Sequence, residues 1–256
     1  QINLMRVYEI DLAHPPPIKI SRETVEQLLD TYQGSPYIPS TRQGREEFLA
    51  LPDWKILDIM FRVRARELYG SVQVNGDPEA FSRFRDDVQT RWLVNACATN
   101  RCHGGAEAGR LRLVNTRPGG DEAVYTNFLI LNRFVMTDGR PLILENDPGA
   151  SPLLEMGLPR GDAARGHPEV RGWRPVFRSR SDRSFRAGVA WIESLYRPRP
   201  DYPVEYLPPS ESGGPGEPGN RGNRGRADRR MVRRRHRPPS SGSHRGACVG
   251  APGPVV

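Results

Sequence analysis

The stretch that decides the fold begins Asp77-Pro78-Glu79-Ala80-Phe81-Ser82-Arg83-Phe84 and ends Cys97-Ala98-Thr99-Asn100-Arg101-Cys102-His103-Gly104-Gly105. Asp77-Pro78-Glu79 is a helix start, with an acidic N-cap and proline at the first helical position. Phe81, Phe84, Val88 and Leu93 follow at near-helical spacing and form one apolar face. The helix therefore runs straight into Cys97, and residues 97–103 form a turn at the end of a packed amphipathic helix. Gly104-Gly105 ends that turn and lets backbone pass close to a flat ligand.

Two cysteines followed at once by a histidine is the arrangement that attaches c-type haem. Each thiol can form a thioether with one haem vinyl group, and the adjacent histidine is then placed to ligate the iron. The usual spacing has two residues between the cysteines; here Ala98 to Arg101 make four. Other readings stay open at this point. In an oxidising compartment Cys97 and Cys102 could close a small disulfide loop. Zinc wants four ligands, so Cys97, Cys102 and His103 would leave one to be found, and no second Cys-x-x-Cys pair supplies it. A cysteine nucleophile would need a histidine base facing it from elsewhere in the fold.

Working outward, the pattern is mainly helical. Ile2 to Leu12 reads as a strand or extended entry before Pro15-Pro16-Pro17. Ser21 caps a helix carrying Val25, Leu28, Leu29 and Tyr32, closed by Gly34. Asp53 to Tyr69 reads as one helix with Leu57, Met60, Val63 and Leu68 inward. Leu111 and Leu113 alternate with arginines as a weak strand. Asp121 to Met136 is a further helix through Val124, Phe128 and Leu131. Ser151-Pro152 caps a short helix to Met156. The last helix starts near Asp182, carries Phe185, Val189, Ile192 and Leu195, and stops before Pro198.

A haem iron held by His103 needs a second axial ligand, and two candidates follow the Cys-His turn. His167 sits in Gly166-His167-Pro168, a loop where an imidazole can face a pocket. Met156 ends the short helix, and a thioether is the other common partner of histidine in electron-carrying haem. His167 is preferred because a loop ligand needs less helix to be specified.

Composition divides the chain. From Pro208 to Val256 it is Gly, Pro, Arg and Ser with almost no aromatic residues, so it is expected to be disordered. Ten arginines there against Glu211, Glu217 and Asp228 leave +7 of the formal net charge of +8. The body, residues 1–207, is near neutral, which argues against nucleic acid as its partner despite a pI near 9.8. No apolar run reaches 18 residues, so no membrane span is expected. Residue 1 is Gln, and a signal peptide or membrane anchor is expected to have preceded it.

Residues 86–196 resemble the cytochrome-c-like domains of uncharacterised extracytoplasmic proteins from planctomycete-type bacteria. The resemblance is carried by Trp92-Leu93-Val94-Asn95 leading into Cys97 through Gly105, by Asp147-Pro148-Gly149-Ala150-Ser151-Pro152-Leu153-Leu154, by Gly166-His167-Pro168, and by Phe185 through Ile192. It implies a cytochrome-c-like helical haem domain, drawn over 76–207; the helices read before it form a separate module over 1–75. The resemblance also implies covalent haem c on Cys97 and Cys102, iron on His103, and His167 or Met156 opposite. An exported electron carrier follows, periplasmic or otherwise extracytoplasmic and with a possible association to the envelope. It would exchange electrons with redox partner proteins rather than catalyse a reaction. The chain departs from the pattern in its widened Cys spacing and in the long segment 104–146. The alternative is an exported, non-redox binding or scaffold protein stapled by Cys97–Cys102.

Overall fold

A computed structural model of the chain describes residues 1–106 and 108–206, and these are mainly helical. The expected disordered tail, with His236, His244 and Cys248, lies outside the described residues.

The first half is built on a small apolar core. Helix α1 (Ile2–Tyr8) opens the chain where an extended segment is expected from the sequence. Its neighbours explain the difference: Met5 packs into one core and Val7 into another, so apolar residues occur on more than one face. Burial on several sides erases the 3.6-residue stripe that marks a surface helix. Strand β1 (Ile18–Ile20) follows, then α2 (Arg22–Thr31), whose N-cap Ser21 accepts a hydrogen bond from the Thr24 amide at 3.3 Å. Helix α3 (Arg42–Leu49) buries only Phe48, too little to leave a periodic pattern.

Helix α4 (Asp53–Val63) is shorter than its apolar pattern suggests. Arg64 takes a left-handed conformation, φ 57°, and ends it, and a 3-10 turn over Arg66–Ser71 carries Leu68 and Tyr69 inward. Strand β2 (Val72–Val74) then pairs antiparallel with β1, Ile18 opposite Val74 and Ile20 opposite Val72.

The second core holds the rest. Helix α5 (Glu79–Arg83) passes without a break into a π-helix over Phe84–Cys97. Asp77 does not cap it, because Pro78 holds that position. The Asp77 carboxylate instead accepts from Arg6 at 3.0 Å, Tyr125 at 2.6 Å and Arg85 at 2.7 Å, tying α1 to the second core. Helix α6 (Asp121–Arg133) ends before Met136, since Phe134 turns extended and Val135 bridges Pro141. Helix α7 (Pro152–Glu155) is short, with Met156 at its C-cap. Helix α8 (Arg183–Glu193) begins at Asp182, whose carboxylate accepts from the Ser184 amide at 2.8 Å.

Phe84, Phe128 and Trp191 meet at the centre of this core, Phe84 and Trp191 with ring centroids 5.0 Å apart. Such pairs add about 0.5–1.5 kcal/mol each beyond their burial. No helix among the described residues is long and apolar enough to cross a membrane.

Candidate functional site

The site grows from the end of the π-helix. Hydrogen bonds to the fifth residue along, here Ala98 N–H to the Leu93 carbonyl at 2.9 Å, widen the helical turn. Residues four and five apart then share a face, which brings Trp92 and Cys97 into line and buries Val88, Leu93 and Ala98 behind them. Extended π-helix is rare and concentrates at functional sites.

The turn that follows is closed by its own backbone. The Cys102 amide donates to the Thr99 carbonyl at 2.9 Å, and the His103 amide to the Cys97 carbonyl at 2.9 Å. Asn115 Nδ2 reaches across to the Ala98 carbonyl at 2.9 Å and to Asn100 Oδ1 at 2.8 Å. A side chain at Gly104 would collide with the Ala98 carbonyl, and one at Gly105 with the Asn100 carbonyl. Both glycines are therefore required by close approach of backbone to backbone.

The segment expected as a weak strand, Leu111 to Leu113, is not in a sheet. Its backbone serves the turn instead. The Leu113 amide donates to the His103 carbonyl at 2.7 Å, and His103 Nδ1 lies 3.0 Å from the Leu111 carbonyl. A carbonyl can only accept, so Nδ1 carries the proton and Nε2 keeps its lone pair. Buried Asn127 steadies the next residue, exchanging hydrogen bonds with the Val114 backbone at 2.7 and 2.8 Å.

Cys97, Cys102, His103, Met156 and His167 all line one apolar cavity, with Trp92 beside them. Its enclosed volume is about 60 Å³, and Cys102, His103 and His167 also border an open cleft of about 500 Å³ edged by Arg101, Arg171 and Arg174. Sites for organic ligands span about 300–1,000 Å³, so the cleft rather than the cavity is of that size. The His103 and His167 ring centroids are 6.1 Å apart, their planes at 62°. Two imidazoles on opposite sides of one metal ion, each bonded at about 2.0–2.1 Å, have centroids about 6 Å apart. The two rings match that separation.

Electrostatics favour neutral groups here. Burial pushes the Cys97 thiol up to about 12, with Cys102 adding to the shift. Burial also draws His103 below the ordinary imidazole value, and neighbouring His167 works in the same direction against the Leu111 hydrogen bond. Cys97 and Cys102 carry free thiols. Among the described residues no group of three His, Cys, Asp or Glu side chains converges to hold a metal ion.

One polar atom in the wall has no partner. Trp92 is 4% exposed, and its indole Nε1–H meets no acceptor, as is also true of Trp191 in the same core. No spacing in the sequence gives Asn115 or the Leu111 carbonyl its part in the turn; for Trp92 the i, i+5 step to Cys97 is the available signal. No family model, curated protein or solved structure matches this chain.

Proposed function

We propose that the chain is a c-type haem protein that carries electrons outside the cytoplasm. The observation that supports it most is the pair His103 and His167, ring centroids 6.1 Å apart across a cavity shared with Cys97 and Cys102. The donor set fits the group: two thiols for two vinyls, and two imidazoles at the separation one iron requires.

In this reading Cys97 and Cys102 would hold the group through their thiols, as thioethers to its two vinyls. His103 Nε2 would hold the iron, its tautomer fixed by the Leu111 carbonyl as second-shell carbonyls fix other metal-bound imidazoles, and His167 would be the second protein ligand. A group the size of haem would lie in the cleft of about 500 Å³ that Cys102, His103 and His167 border, against the apolar cavity walled by Leu93, Leu131, Leu142 and Leu153. The haem, when bound, supplies a one-electron couple whose potential its axial ligands set. Held by two protein ligands, such a group would serve carriage rather than catalysis.

The test is the chain produced in a host with a c-type maturation system. The expected product is red, with a low-spin spectrum and a reversible one-electron titration. A colourless product whose mass reports a Cys97–Cys102 disulfide would contradict the proposal and favour an exported binding or scaffold protein.

A further inference from the structure

His167 lies on a stretch without regular secondary structure between α7 and α8, so something other than a helix or strand must aim it. Two side chains do. The indole of Trp173 stacks on the imidazole, centroids 5.2 Å apart and planes 16° from parallel. Arg160 donates from Nε to the His167 carbonyl and from Nη2 to the Pro168 carbonyl, both at 3.1 Å. Its guanidinium carbon lies 5.1 Å from the Trp173 ring centroid. One arginine therefore grips the backbone on which His167 stands and also packs on the ring that holds the imidazole flat. The loop is fitted to it: a side chain at Gly166 would press on Arg160, 3.0–3.3 Å away.

The remaining contacts complete the arrangement. Trp173 is brought back by a turn in which its amide donates to the Val170 carbonyl at 3.2 Å and Gly172 takes φ +82°. His167 Nδ1 lies 2.9 Å from the Pro168 carbonyl, so that nitrogen carries the proton and Nε2 keeps its lone pair.

From this geometry we propose that Trp173 and Arg160 are positioning residues that hold the His167 imidazole toward the iron and keep it from yielding its place. The inference rests on the haem reading and deepens it. Stacking restricts rotation about the His167 side chain, and the Arg160 fork restricts the backbone. Ring orientation is therefore set before the metal is present. That lowers the cost of ligation, as preorganisation does generally. Met156 lines the same cavity, so a loosened His167 leaves a second donor within reach.

The experiment uses the full, haem-loaded chain and follows carbon monoxide binding to the ferrous form, which requires His167 to leave first. Trp173→Ala is expected to speed binding about tenfold, equivalent to about 1.4 kcal/mol in the ligated state. Trp173→Phe keeps a stacking ring and should restore the wild-type rate. Arg160→Ala should resemble Trp173→Ala. Trp54→Ala, removing an exposed indole on α4, should change nothing.

A second readout needs no haem. In proton NMR of the haem-free chain, the His167 Cε1–H resonance should lie upfield through the Trp173 ring current, and Trp173→Ala should return it to its ordinary position. An unshifted resonance, or unchanged carbon monoxide kinetics in Trp173→Ala, would overturn the proposal. Failure of Trp173→Phe to rescue would do the same, by reducing the indole to a general packing element. A wild-type chain that takes up no haem would remove the haem reading itself, a failure visible before any variant is made.

Discussion

His103 and His167 lie in an edge-type arrangement with ring centroids 6.1 Å apart and planes at 62°, and each has its Nδ1 at a backbone carbonyl. Both rings thus hold Nε2 unprotonated, although 64 residues separate them in the chain. That shared tautomer is what a pair of axial ligands needs.

The first consequence concerns which residue fills the second axial position. His167→Ala should convert a low-spin spectrum to high-spin and let carbon monoxide bind the ferrous form readily. Met156→Ala should leave the spectrum unchanged and cost at most about 2 kcal/mol of packing, since Met156 is only half-buried. If the two variants exchanged outcomes, Met156 would be the ligand and His167 a loop residue.

Gly104 and Gly105 make the turn possible, because a side chain at either meets carbonyl oxygen rather than a movable group. Gly104→Ala and Gly105→Ala should each lower the haem content of purified protein several-fold and reduce thermal stability. Gly34→Ala, where a side chain meets nothing, should do neither. Wild-type haem content in both turn variants would mean that the backbone there has room to move.

Acid should weaken the junction at Asp77. Burial alone would raise its pKa, but hydrogen bonds from Tyr125 and Arg85 and the charge of Arg6 outweigh it and hold the carboxylate below its ordinary 3.8. The folded state then binds fewer protons than the unfolded one near that pH. The stabilisation is complete above 3.8 and is lost as pH falls through the lower, folded-state value. Urea midpoints should drop below about pH 4. Asp77→Asn should flatten part of that drop and, at neutral pH, cost about 1–3 kcal/mol by weakening the shared acceptor of Arg6, Arg85 and Tyr125, although both arginines keep Asp121. Identical pH profiles in variant and wild type would contradict this account.

Much of the helical layout was legible because several helices bury one clear stripe. Val25, Leu28 and Leu29 mark α2, Val124, Phe128 and Leu131 mark α6, and the Asp182 cap marks the start of α8. What escaped has a physical pattern too. α1 is buried on more than one face, α3 buries a single residue, and the β1–β2 pair is three residues long. The apolar face of Phe81, Phe84, Val88 and Leu93 is read correctly, but its π geometry is not, its only trace being the five-residue step from Val88 to Leu93. At the site, the Cys-His turn and the histidine loop could be found from composition and local spacing. Their meeting, and the Trp173 stack that holds one of them, depend on how α7 and the loop after it pack, which no local pattern encodes.

The most direct test of covalent haem on Cys97 and Cys102 is acid–acetone extraction followed by a pyridine haemochrome spectrum of the protein residue. The account predicts that haem stays with the polypeptide and gives the thioether-type spectrum, and that Cys97→Ala with Cys102→Ala releases it to the solvent phase. Haem extracted wholly from the wild-type chain, or none present at all, would contradict it.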